Sequence, residues 1–219
     1  MSRRTGKPSY LQPAPARRAA GFPRVIVGVA IGLALALLGG LGGWSVGRPD
    51  GTEAAIADIE AADARRDAQQ IAELTTTARQ VRDEIAPVLT AIGKEQPDAA
   101  RAREFQQVLR RAAEPFADPP SGTTATNVAR GGLRGAVDQA ALAVDSFAAA
   151  AGAPATQRAT LTDLARRQAT SAAAVWAVAA TQLDQINVHA GYGHQHVFLT
   201  TDPASGAFTP DGEPEGSGG

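Results

Sequence analysis

Residues 71–92 read IAELTTTARQVRDEIAPVLTAI, and they decide the fold. Ile71, Leu74, Ala78, Val81, Ile85, Val88 and Ile92 recur at alternating intervals of three and four. That spacing lines seven apolar side chains along one stripe of an α-helix, the pattern of a heptad seam. Upstream the same stripe is carried by Ala57, Ala61, Ala64 and Ala68, so close but weakly hydrophobic packing is expected there. The helix is expected over 52–92. Gly47-Arg48-Pro49-Asp50-Gly51 breaks the chain before it, and Asp50 with Glu53 has the spacing of a capping box. Pro87 is expected to kink the helix or limit its last turn, and Gly93 to end it.

Three more helices follow by the same reasoning. The second starts at Pro97-Asp98 and carries Phe105, Val108, Leu109, Ala112 and Phe116 on one face. Asp118-Pro119-Pro120-Ser121-Gly122 is a loop. Asn127 then caps a helix of 127–151, with Val128, Leu133, Val137, Ala141, Val144 and Phe147 apolar. Its Gly131, Gly132 and Gly135 weaken the first turns by up to about 1 kcal/mol each. The fourth helix, 155–189, has Leu161, Leu164, Gln168, Ala172, Val175, Ala179, Leu183 and Ile186 in register, with Trp176 beside the stripe. Gln168 on that stripe reads as a register-setting residue. Four amphipathic helices with short connections predict an all-α antiparallel bundle. A long helical hairpin or intermolecular coiled coil is the competing architecture.

Gly191 and Gly193 stop the fourth helix. Residues 191–219 read as a loop-rich acidic tail. A short hairpin is expected, with arms 197–200 and 207–209 around a turn at 202–206. From Pro210 onward the chain reads as flexible and disordered. An even number of helices returns the chain to its starting end, so the residues after the bundle are expected near that end.

Ahead of the bundle, residues 25–47 are 23 residues without a charge. A helix of this length crosses a hydrocarbon core of roughly 30 Å. Residues 1–24 carry six basic side chains and no acid, which by the positive-inside rule places the N-terminus in the cytoplasm and the bundle outside. The domain plan is therefore a basic cytoplasmic tail (1–23), a transmembrane helix (24–47), an extracytoplasmic helical domain (48–190) and the acidic tail (191–219). The location is a bacterial inner membrane, since arginine outnumbers lysine 19 to 2 and alanine makes up 48 of 219 residues, the bias of a high-GC genome. A cleaved signal peptide competes with the anchor, but its apolar core is normally about 7–15 residues. Gly28, Gly32, Ala36 and Gly40 recur every four residues, spacing that lets two membrane helices pack closely into a homodimer.

The chemistry is sparse. The chain has no cysteine, so disulfides, thiolate metal sites and a lipid-modified cysteine anchor are excluded. Outside the cytoplasmic flank it is acidic, which argues against nucleic acid as a partner. No nucleophile motif, phosphate loop or zinc-protease motif is present, so no enzyme and no cofactor are expected. His189, His194 and His196 fall in one stretch and form the candidate metal set, although their spacing matches no recognised metal signature. The expected partners are the lipid bilayer, a second copy through the membrane helix, and an unidentified envelope protein. The functional expectation is an anchored binding or scaffolding module. The alternatives are a ligand-sensing ectodomain and an accessory factor for envelope lysis.

Overall fold

The computed structural model describes residues 51–200 and 207–218. The expected membrane helix, with Gly28, Gly32, Ala36 and Gly40, lies outside them. Among the described residues no helix is long and apolar enough to cross a membrane. The chain divides into two compact units, Met1–Ala57 and Asp58–Gly219, and the bundle belongs to the second.

Four α-helices and no strands occur among the described residues: α1 (Gly51–Lys94), α2 (Ala99–Ala113), α3 (Thr124–Gly152) and α4 (Ala155–His189). A 3-10 turn, Glu114–Phe116, extends α2. All seven seam residues of α1 are buried. The helix runs through Pro87, which lies on its exposed side, so the carbonyl left without a donor can be hydrated. The upstream alanines behave differently from expectation. Ala57, Ala61 and Ala64 are exposed and Ala68 is half-buried. Alanine stripes offer little area to bury, and burial starts at Gln70 and Ile71, where the loop before α3 reaches α1.

Side-chain caps open α2 and α3; Pro154 precedes α4 without one, and Asp50, expected to cap α1, lies outside the described residues. Asp98 accepts from the Arg101 N–H at 2.9 Å and opens α2. α3 opens three residues earlier than expected, because Thr123 caps it by accepting from the Thr126 N–H. Asn127 instead donates to the Gly122 carbonyl and accepts from Arg130. Asp67 of α1 holds this cap from outside, accepting from the Thr123 hydroxyl at 3.1 Å and the Thr126 hydroxyl at 2.9 Å. Nearby, Arg130 is buried and donates to the Pro120 carbonyl and to Gln70 Oε1, which ties the loop to both helices.

Side-chain links set the order of the bundle. Asn187, near the end of α4, donates to Thr75 Oγ1 of α1 at 2.8 Å. Gln106 of α2 donates to Asp145 of α3. Gly132, early in α3, faces Ala179, late in α4, so the two helices run antiparallel and close together. Along α4 the expected stripe holds at Ala172, Ala179, Leu183 and Ile186, all buried, and fails at other positions. Thr162, Ala165, Ala169 and Trp176 are buried, whereas Leu164 and Val175 are exposed, as is Val128 of α3. Alanine at the contact lets the helices approach, and that approach leaves the larger residues on the outer edge.

The end of the chain also departs from expectation. The arms 197–200 and 207–209 form no strand, and the expected turn lies outside the described residues. Val197 and Phe198 are instead part of the core, and the Trp176 indole N–H donates to the Val197 carbonyl at 2.6 Å. The segment after α4 therefore runs back along the groove between α1 and α4 as a strap. Residues 215–217, expected to be disordered, are hydrogen-bonded to it.

Candidate functional site

The site is made where the strap leaves α4. The helix ends at His189, and Gly191 and Gly193 take φ of +80° and +67°, which reverses the chain. A Cβ at Gly193 would lie 2.3 Å from the Gly216 carbonyl carbon, so only glycine lets the tail pass. The His194 N–H donates to the Ser217 carbonyl and the Gly216 N–H donates to the His194 carbonyl, both at 2.9 Å.

This reversal lays His194 and His196 over Asp184, one helical turn and a half before the end of α4. Asp184 is 8% exposed. Its Oδ2 accepts from His194 Nδ1 at 2.9 Å, and its Oδ1 accepts from the Gln195 N–H. Asp211 approaches from the tail, with one oxygen 3.7 Å from His194 Nδ1 and the other 3.5 Å from His196 Nε2. His196 Nε2 is buried and has no hydrogen-bond partner. Glu215 accepts from the His196 N–H at 3.1 Å and pairs with Arg79 of α1 at 3.3 Å. The hydrogen bond to Asp184 raises the pKa of His194 above the ordinary histidine value. Burial opposes this, and the charges of Asp184, Asp211 and Glu213 add to it.

Of the three histidines grouped by sequence, the structure joins two. His194 and His196 meet, with ring centroids 5.9 Å apart. His189 is exposed, bonded through Nδ1 to the Gln185 carbonyl, and lines a different groove with Asp63 and Asp67. Its place is taken by Asp184, which sequence reasoning passed over. A signal was present: Asp184 sits between Leu183 and Ile186 on the buried side of α4, an unusual position for an acid. Ser217 is bonded to His194 only through its backbone; its hydroxyl donates to the Pro214 carbonyl at 2.7 Å.

A second feature lies on the outer face of α3 and α4. Val128, Gly132, Val175, Val178, Ala179 and Phe208 line a groove of about 440 Å³. Val178 is 56% exposed and Phe208 63%. No known protein family, curated protein or solved structure matches the chain.

Proposed function

We propose that this chain is a binding or scaffolding protein held in a bacterial cell membrane by residues 24–47, with its helical domain outside the cytoplasm. The charge-free run and its basic flank support the anchor and its orientation. The observation that carries the binding reading is the exposed apolar face of α3 and α4. Contiguous exposed apolar surface on a small domain is characteristic of an interaction site. Small residues on the same face favour this use, because a Cβ at Gly131 or Gly135 would meet nothing within 4 Å and a partner can come close to the backbone.

Two measurements test the reading. The chain has no native cysteine, so Tyr10→Cys and Ser121→Cys variants can be treated with an impermeant thiol reagent in intact cells. Labelling at 121 alone is expected, and labelling at 10 alone overturns the orientation. In vivo crosslinking from a photoreactive residue placed at Val128, on the same groove, is expected to trap an envelope protein in the otherwise wild-type chain. A Val175→Asp/Val178→Asp variant is expected to lose that product while keeping its thermal stability. Equal crosslinking by both would remove the face as the binding surface.

A ligand-sensing domain is the second reading, favoured by the size of the groove beside Phe208, which lies in the range of small-molecule pockets. A thermal shift with an apolar metabolite, abolished by Phe208→Ala, would favour it over the scaffold.

A further inference from the structure

We propose that Asp184, His194 and His196 bind a divalent transition-metal ion, with Asp211 as fourth ligand, and that the ion clasps the C-terminal strap to α4. The donor atoms of Asp184, His194 and His196 all lie within 4.8 Å of one another. Tetrahedral zinc with bonds of about 2.0–2.1 Å holds its donors about 3.3 Å apart. The 2.9 Å between His194 and Asp184 and the 3.5 and 3.7 Å to Asp211 bracket that spacing.

The second observation is independent of the spacing. His196 Nε2 is buried without a hydrogen-bond partner. A buried polar nitrogen left unpaired is costly, and it faces the Asp211 carboxylate that would share the ion. An ion satisfies the nitrogen and both carboxylates at once. The Gln195 N–H holds Asp184 Oδ1, an outer-shell contact, and an ion would take the place of the proton between Asp184 Oδ2 and His194 Nδ1. Two imidazoles with carboxylates and no thiolate suit zinc or a neighbouring first-row ion; calcium and magnesium take all-oxygen sets.

The ligands come from three separate segments: α4, the reversal after it, and the tail. An ion there joins all three. It also holds the route by which Val197 and Phe198 enter the core.

The test uses the full-length chain in detergent, stripped with a chelator and titrated with Zn²⁺, with Co²⁺ absorption as a second probe. One ion per chain is expected. His194→Gln, His196→Gln and Asp184→Asn are each expected to weaken binding by about tenfold or more. His189→Gln should bind like the wild type, which separates this set from a simple histidine-rich stretch. Amide exchange over 194–198 is expected to slow with Zn²⁺ in the wild type and in His189→Gln, but not in His196→Gln. Absence of stoichiometric binding by the wild type, or equal losses in His189→Gln and His196→Gln, overturns the proposal. Binding without any slowing of strap exchange overturns the clasp.

Discussion

Gly132→Ala sets two opposing effects against each other at one position. In a helix interior, alanine is favoured over glycine by about 1 kcal/mol. At Gly132 the new Cβ would meet the Ala179 Cβ at 2.8 Å, against about 3.5–4.0 Å for carbon atoms in contact. Neither methyl group can rotate away, and Ala179 is buried, so α3 and α4 must separate. Overpacking of this kind costs about 1–3 kcal/mol. The net expectation is a loss of up to about 2 kcal/mol. Gly135→Ala is the control, because a Cβ there meets nothing within 4 Å, and it should gain about 0.5–1 kcal/mol. The assay is urea denaturation followed by Trp176 fluorescence in a Trp44→Phe background, which leaves a fully buried indole as the reporter. With an m-value of about 2 kcal/mol/M, the two variants should shift the midpoint in opposite directions, by up to about 1 M for Gly132→Ala. If Gly132→Ala stabilises as much as Gly135→Ala, the close α3–α4 approach is wrong.

Trp176→Phe removes the indole donor and leaves the Val197 carbonyl without its partner in the core, so a loss of about 2–4 kcal/mol is expected from the unmade hydrogen bond and the space vacated. Urea denaturation by far-UV circular dichroism measures it, and a change under about 0.5 kcal/mol would mean that the strap does not seat on α4. The metal-free protein should also show a pH signature. His194 is held above its ordinary value by Asp184, so its protonated form stabilises the folded state. The groups facing it are Asp184 on α4, and Asp211 and Glu213 on the tail. The contribution is fully present below about pH 6.5 and is lost as pH rises through the higher folded-state value. The stability difference between wild type and His194→Gln in chelator should therefore shrink as pH rises above about 6.5; a difference that grows would refute the pairing.

Legibility in the sequence followed the size of the side chains. In α1 the seam is built of isoleucine, leucine and valine, whose spacing stands out, and each of the seven seam positions is buried. In α4 the contact is built of alanine and threonine, which hydropathy ranks below leucine and valine. The pattern therefore pointed to Leu164 and Val175 as well as Ala172, while the positions buried beside Ala172 are Ala165 and Ala169. The sequence pointed to Asn127 as the cap of α3, and Thr123 was used instead, held by Asp67, a partner 56 residues upstream.

The number of helices, their connections and most of the apolar seam were determined by the sequence alone, because 3.6-residue periodicity and turn residues act locally. The path of the strap was not. Its single hydrogen bond from Trp176, its two core side chains and the meeting of Asp184 with His194 and His196 depend on a reversal at Gly191 and Gly193 that only the packed bundle directs. Local pattern shows that a glycine can turn the chain. Which groove receives the returning segment is settled by the space left between α1 and α4, and so the site belongs to the tertiary structure.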